Sequence, residues 1–288
     1  MPKAQDIGHS VTARRCGASL ARIPATLWRF EVRRNMRHIL SVGQGTELRR
    51  IAVRTRVGEG SPVVWLGGFK SDMSATKASW LDAWAERTGR AFVRFDYSGH
   101  GESDGMFEEG TISRWLEESR AVLDTFAPSN PVLVGSSMGG YIALLLAREL
   151  PAERQPRGMV LIAPAVDFTE QLIWDRLTED ARRAIREAGY WERPSAYSPE
   201  PYRITKNLIE DGRRHILLGP SLATGCPVHI LQGMEDPDVP WQHALTLVEH
   251  LPGDSVALTL INDGDHRLSR PQDLERLAGA VEAMAQRS

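Results

Sequence analysis

The chain has 288 residues, 42% of them hydrophobic, which is enough to bury one large core without splitting into several domains. Its formal net charge of −2 gives no reason to expect a nucleic-acid partner, and no apolar run approaches the roughly 18 residues that cross a bilayer. The two cysteines, Cys16 and Cys226, stand far apart in unlike contexts, so no disulfide framework is expected and a reducing compartment is.

Residues 1–37 carry Arg14, Arg15, Arg22, Arg29, Arg33, Arg34 and Arg37 against only Asp6 and Glu31. This acid-poor, arginine-rich composition suits a transit peptide, a disordered tail, or an extension upstream of a true start at Met36. The segment is set outside the fold, and the domain is taken as residues 38–288. Ile51-Ala52-Val53 and Val63-Val64-Trp65-Leu66 read as strands. Ala75 to Thr88 reads as a helix with Trp80, Leu81, Trp84 and Ala85 on one face and Gly89 as its stop. Ala91 to Phe95 is a strand, and Ile112 to Phe126 is a helix. Pro131 to Val134 is a strand that leads through Gly135-Ser136-Ser137-Met138-Gly139 into the apolar helix starting at Gly140. Met159 to Ala163 is the next strand. Later come a strand at Val228 to Leu231, a helix from about Trp241 to Leu251, a strand at Val256 to Ile261 and a last helix from Pro271 to Ala285, capped by Ser269. Strands alternating with helices imply an α/β fold whose mostly parallel central sheet is covered on both faces.

One stretch breaks the alternation. No strand is expected between Ala163 and Cys226, and an insertion over about 165–225 is read as a helical lid. It is expected to hold a helix from Asp167 to Leu177, opened by an Asp167/Glu170 capping box, and another from Thr178 to Ala188 that ends at Gly189. Trp174, Trp191 and Tyr197 are its candidate contributors to a substrate pocket, each equally plausible as core.

The G-x-S-x-G sequence around Ser137 lies between a strand and a helix, the setting of a nucleophile elbow. Its glycines permit a turn so sharp that the serine hydroxyl is pushed outward. A serine hydroxyl is a weak nucleophile and needs a histidine base, itself oriented by a carboxylate. The loops that follow the last two strands supply both. Gln232-Gly233-Met234-Glu235-Asp236-Pro237-Asp238 offers Asp236 as the acid, with Glu235 and Asp238 as local rivals. Asn262-Asp263-Gly264-Asp265-His266 offers His266 as the base. The developing oxyanion needs two donors. These are expected to be the backbone N–H of Met138 and that of Phe69, in the Gly67-Gly68-Phe69-Lys70-Ser71 loop. No metal or cofactor motif competes: there is no H-E-x-x-H, P-loop, paired C-x-x-C or G-x-G-x-x-G after a strand.

From about Ile39 onward the sequence resembles the α/β-hydrolase superfamily, and one branch of it in particular. The stretches that carry this are Arg94-Phe95-Asp96-Tyr97-Ser98-Gly99-His100-Gly101-Glu102-Ser103-Asp104-Gly105, the elbow, Pro194 to Ser198, Cys226-Pro227-Val228 with Gly233-Met234 and Val239-Pro240-Trp241, and Asp265-His266-Arg267. They are similar to the branch of mitochondrial palmitoyl-protein thioesterases that also cleave acyl glucuronides. Two positions depart from it: Gln232 stands where many relatives have His, and Gly67-Gly68 where that branch tends to have Pro-Gly. The resemblance implies a catalytic set of Ser137, Asp236 and His266, acting by acyl transfer without metal or cofactor. The implied substrates are small-molecule or lipid-acyl esters or thioesters, with acylated protein among them. A small-ester carboxylesterase and a slow-turnover ligand-binding relative are the alternatives, and acyl length, leaving group and oligomeric state stay open. Only Lys3, Lys70, Lys77 and Lys206 are lysines, and this arginine bias suggests a bacterial relative in the cytoplasm. Residues 1–37 would direct a eukaryotic chain to the mitochondrial matrix.

Overall fold

A computed structural model describes residues 35–194, 201–219 and 221–286. Strand β1 (Asn35–Val42) begins inside the arginine-rich segment, so residues 35–37 belong to the sheet. It is followed by β2 (Arg49–Arg56), β3 (Glu59–Leu66), α1 (Thr76–Thr88), β4 (Arg90–Phe95), α2 (Ile112–Phe126), β5 (Val132–Ser136), α3 (Met138–Glu149) and β6 (Gly158–Ile162). The insertion then contributes α4 (Glu179–Ala188), β7 (Tyr190–Arg193), β8 (Tyr202–Thr205) and α5 (Lys206–Gly212). The chain closes with β9 (Val228–Gly233), α6 (Trp241–Glu249), β10 (Val256–Ile261) and α7 (Pro271–Gln286).

Eight strands form one sheet in the order β1-β2-β4-β3-β5-β6-β9-β10. Strand β2 is antiparallel to both β1 and β4, and all the other pairings are parallel. The central parallel strands β5 and β6 are buried on both faces, which is why they read as unbroken apolar runs. Successive side chains still alternate. Val63, Trp65, Val132, Val134, Val160 and Ile162 face α1 and α7, whereas Val64, Leu66, Leu133, Met159 and Leu161 face α2, α3 and α6. The result is three layers, with the sheet in the middle. Helix α3 is buried nearly all round, as expected of a helix between the sheet and a further layer.

The insertion differs from its sequence reading. Asp167 does not cap a helix. It sits in the left-handed region (φ 52°), followed by a wide π-type turn over Phe168–Ile173 and a 3-10 turn over Trp174–Arg176. Its buried carboxylate instead accepts the N–H groups of Leu217 (2.9 and 3.1 Å) and Leu218 (2.8 Å), tying the start of the insertion to its return. The expected helix from Thr178 is present, with the Thr178 hydroxyl accepting the Ala181 N–H and Gly189 closing it at φ 84°. Contrary to expectation the insertion also contains strands: β7 and β8 pair antiparallel, Tyr190 against Thr205 and Arg193 against Tyr202. Four-residue strands with one face in solvent carry almost no hydrophobic alternation, so nothing in the sequence announced them. Helix α7 is not capped by Ser269, whose hydroxyl donates to the Arg267 carbonyl. The Asp273 carboxylate accepts the Arg270 N–H (3.3 Å) and Nε (2.8 Å) just ahead of Pro271.

Candidate active site

Ser137 joins β5 to α3 with φ 55° and ψ −117°, a conformation that a non-glycine residue holds only under constraint. The constraint comes from four backbone bonds. Its N–H donates to the Ile162 carbonyl at 2.8 Å, and its carbonyl accepts from Gly140, Tyr141 and Ala165. The flanking glycines are dictated by space. A Cβ on Gly135 would lie 2.6 Å from the Gly139 carbonyl carbon, and one on Gly139 would lie 2.5 Å from the Leu66 carbonyl carbon and 2.6 Å from the Gly67 oxygen.

Asp236 and His266 come to Ser137 from the loops after β9 and β10. His266 Nε2 lies 3.2 Å from Ser137 Oγ, and His266 Nδ1 lies 2.7 Å from Asp236 Oδ2. The Asp236 side chain is fully buried and each oxygen is occupied. Oδ1 accepts the Asp238 and Val239 N–H groups at 2.9 Å, while Oδ2 also accepts Gln232 Nε2 at 3.3 Å. Because a carboxylate only accepts, His266 Nδ1 carries the proton and Nε2 faces the hydroxyl as an acceptor. The two loops are locked together: Met234 N–H donates to the Ile261 carbonyl, and Glu235 N–H to that of Gly264. Gly233 is needed here for closeness rather than for an unusual turn, since a Cβ would meet the Gly264 carbonyl carbon at 2.6 Å.

Of the local rivals, Asp238 lends only its N–H to Asp236, although its carboxylate faces the cavity. One oxygen or ring nitrogen from each of Asp236, Asp238 and His266 lies within 4.8 Å of the others. Asp236 Oδ2 and His266 Nδ1 already bond each other there, so an ion at this point would have to break that bond.

The loop after β3 turns over Gly68–Ser71, with Ser71 N–H donating to the Gly68 carbonyl at 3.1 Å and Lys70 at φ 56°. A positive φ at the third position alone is the type II pattern. It leaves the Phe69 N–H without a partner among the described residues, as is the Met138 N–H at the start of α3. Gly68 brings the turn close to the serine: a Cβ on it would reach 3.5 Å from Ser137 Cβ.

Ser137 and His266 open on a cavity of about 500 Å³. The insertion lines it with Phe168, Leu172, Ile173, Arg193 and Tyr202, and the sheet side with Phe69 and Val239. Phe69 is the hinge between the two, its ring lying 5.5 Å from Phe168 and 5.8 Å from Tyr202. Trp174 and Trp191 are not among the lining residues. Both pack against the core beneath, and Trp174 lies under the guanidinium groups of Arg182 and Arg213. Tyr197 lies outside the described residues. The pocket residues supplied by the insertion were not singled out in the sequence, because an aromatic residue in an irregular segment does not show which way it faces.

Four cations border the cavity, Lys70, Lys77, Arg193 and Arg267, against the surface carboxylate of Asp238. The Lys70 ammonium sits 4.7 Å from the centre of the Phe107 ring. The Lys77 ammonium donates to the Arg267 carbonyl, beside His266, and burial lowers its pKa from 10.5 to about 8 against the pull of Asp265. Burial likewise raises the Tyr202 phenol above its ordinary range.

A family model described as the alpha/beta hydrolase family matches residues 60–280. Palmitoyl-protein thioesterase ABHD10, mitochondrial, from Mus musculus is 33% identical over 266 residues, covering 92% of this chain and 88% of that protein. A solved structure from Agrobacterium vitis S4 shares 55% identity with a TM-score of 0.86 and covers 88% of this chain and all of its own. The structure of alpha/beta hydrolase domain-containing protein 10 from mouse is 31% identical, with a TM-score of 0.77 over 86% of this chain and 98% of its own. Among the described residues no helix is long and apolar enough to cross a membrane.

Proposed function

Because the chain belongs to the alpha/beta hydrolase family, we propose that it cleaves acyl thioesters or carboxylic esters with Ser137 as nucleophile, His266 as general base and Asp236 as the acid that orients it. The observation that carries this reading is the hydrogen-bonded relay from Asp236 through His266 to Ser137 at the mouth of a cavity with an apolar wall. Ser137 Oγ attacks the acyl carbon as its proton passes to His266 Nε2. The Phe69 and Met138 N–H groups receive the oxyanion. Collapse of the tetrahedral intermediate breaks the C–S or C–O bond, and His266 returns the proton to the leaving group. Water then repeats the sequence on the acyl-enzyme, giving a carboxylic acid and free Ser137.

The apolar wall of Phe69, Phe168, Leu172 and Ile173 suits an acyl chain, and the cationic border suits a leaving group or substrate that carries negative charge. Thioester substrates follow from the relatives, whose name states palmitoyl-protein thioesterase activity. Small lipid-acyl compounds and acylated proteins are both within this reading. In this reading residues of about 165–225 act as a cap. The enzyme works in a reducing compartment, the bacterial cytoplasm or, in a eukaryotic source, the mitochondrial matrix.

The test compares wild type with Ser137→Ala on an acyl-CoA, an S-palmitoylated peptide, a nitrophenyl ester and an acyl glucuronide, each by kcat/KM. Loss of all turnover with an unchanged melting temperature is expected, and near-wild-type turnover by the variant would sink the assignment. Stoichiometric labelling of wild type by a fluorophosphonate without turnover on any substrate would instead make the chain a binding protein.

A further inference from the structure

His100 is buried in the loop after β4, away from the Ser137 relay, and the mechanism above does not use it. Both of its ring nitrogens are nevertheless committed. Nδ1 lies 3.1 Å from the Ser98 carbonyl, and Nε2 receives the Lys70 N–H at 3.1 Å. A carbonyl can only accept, so Nδ1 must carry a proton. A backbone N–H can only donate, so Nε2 must not. The two contacts therefore fix one neutral tautomer.

Lys70 is the residue that follows the Phe69 N–H. It holds a positive φ of 56° that glycine or asparagine would adopt more readily at this position of the turn. The turn's own closing bond, Ser71 N–H to the Gly68 carbonyl, spans Phe69 and Lys70 and engages neither residue's N–H. The imidazole supplies the external anchor. The ring is itself held by its neighbours: Phe107 and Trp115 lie 5.3 and 5.4 Å from it, edge-on, and both also pack against the Phe69 ring. Behind it, the Ser98 N–H donates to buried Glu118 and the Ser98 carbonyl also accepts Trp115 Nε1.

We propose that His100 is a positioning residue for the oxyanion site, its Nε2 accepting the Lys70 N–H and so holding the Gly68–Ser71 turn with the Phe69 N–H aimed at the reacting carbonyl. The proposal rests on the reading of Phe69 as an oxyanion donor. Releasing the anchor lets the donor drift, and a displacement of about 1 Å at a reacting group costs on the order of 10²-fold in rate. The loss falls on the transition state rather than on substrate binding, because the ground-state carbonyl draws little on the donor.

The experiment uses the full chain with three variants. His100→Leu removes both contacts. His100→Asn keeps a donor for Ser98 but cannot reach Lys70, and it serves if the leucine variant does not fold. His100→Gln can place its amide oxygen where Nε2 stood. Each is assayed for kcat and KM on a nitrophenyl ester, and for Ki against an aryl trifluoromethyl ketone, which adds to a serine hydroxyl to form a hemiketal oxyanion. The expected result for His100→Leu and His100→Asn is a fall in kcat of ten- to hundredfold, KM within about threefold, and Ki raised in parallel with the loss in kcat, with His100→Gln recovering most of both. Wild-type kcat in the folded leucine or asparagine variant overturns the proposal. So does a loss of kcat with Ki unmoved, or a glutamine variant as impaired as the other two, since either would mark a merely structural role. A wild-type enzyme that turns over ester yet ignores the ketone takes down the oxyanion reading, and the proposal with it, while leaving the Ser137 assignment in place.

Discussion

Asp236→Asn exchanges one oxygen for an NH2 group and keeps the shape of the side chain. Its effect can be worked out atom by atom. The Asp238 and Val239 N–H groups both point at Oδ1 from 2.9 Å, so the new side chain must keep its oxygen there. A flipped amide would set NH2 against two N–H donors. The NH2 group therefore faces Gln232 Nε2, itself a donor, and His266 Nδ1. To accept from it, Nδ1 must give up its proton, and the ring takes the tautomer protonated at Nε2. That nitrogen then no longer accepts the Ser137 hydroxyl proton. The same tautomer change in a serine-protease triad lowers turnover by about 10⁴-fold, which corresponds to about 5.5 kcal/mol. A fall of this size in kcat is expected here, with KM changed little. Loss of charge-assisted bonds to the buried carboxylate should cost about 1–3 kcal/mol of stability, visible as a lower urea midpoint. The assay is steady-state hydrolysis of a nitrophenyl ester, on protein shown to be folded by circular dichroism. Turnover within tenfold of wild type would refute the reasoning, because it would mean that the ring nitrogens do not hold the roles their contacts assign.

Two further outcomes follow from packing and from burial. Gly139→Ala sets a Cβ against the Leu66 and Gly67 carbonyls, which belong to the strand end that carries the oxyanion loop, and should destabilise at the upper end of the overpacking range, about 3 kcal/mol. Gly279→Ala, in α7 with open space around it, should stabilise by up to about 1 kcal/mol and raise the urea midpoint; equal midpoints for the two would contradict the clash. His100 contributes to the pH dependence, together with His215, His229 and His243, whose pKa values burial also lowers. Burial, with a smaller push from the Lys70 ammonium, lowers the His100 pKa from 6.5 to about 4. At this side chain the unfolded state therefore binds more proton than the native one between those values, and its contribution to native stability falls as pH drops from 6.5 towards 4. A folded His100→Gln variant should show a shallower fall over that window, and parallel midpoint-versus-pH curves would place the acid sensitivity elsewhere.

How much of this was legible in the sequence depended on what constrained each residue. The parallel strands were plain because burial on both faces leaves only apolar runs such as Val132 to Val134 and Met159 to Ile162. Helices α1 and α2 show their stripes, and Gly89 and Gly189 mark helix ends as left-handed caps. Ser137, Asp236 and His266 could be picked out because each ends a strand that the pattern located, and the structure brings the three together. Asp167 was misread because its carboxylate is used by Leu217 and Leu218, fifty residues further on, and local spacing carries no trace of that. The pair β7 and β8 escaped for a related reason, since short exposed strands are set by their partner and not by their own pattern. The pocket was the least legible part. Trp174 and Trp191 stand out by size alone, whereas Phe168 faces the cavity from a wide turn, and Tyr202 from a short strand, that no periodicity predicts.

This division follows from how the two halves of the site are built. The reacting groups stand on the ends of β5, β9 and β10 and on the turn after β3, where backbone bonds and close glycine contacts leave little freedom. The acyl wall is different. Phe168, Leu172, Ile173 and Tyr202 come from an insertion that shares the core beneath it through residues such as Ile185, Ile204, Leu208 and Leu217, and is further tied to the sheet domain by the Ser113 hydroxyl bonded to Asp211 of α5 at 2.7 Å and by the aromatic cluster around Phe69. Side chains on such a layer can change without disturbing the relay. Under the proposed function, a change there is expected to alter which acyl group fits, and a change on the strand ends how fast any acyl group reacts. Phe69 is where the two meet: in the proposed mechanism its N–H receives the oxyanion, while its ring lines the pocket. Under the proposed function, replacing the Phe69 ring should therefore move both acyl preference and turnover, whereas replacing Phe168 should move acyl preference alone, a difference that kcat/KM across an acyl series would read.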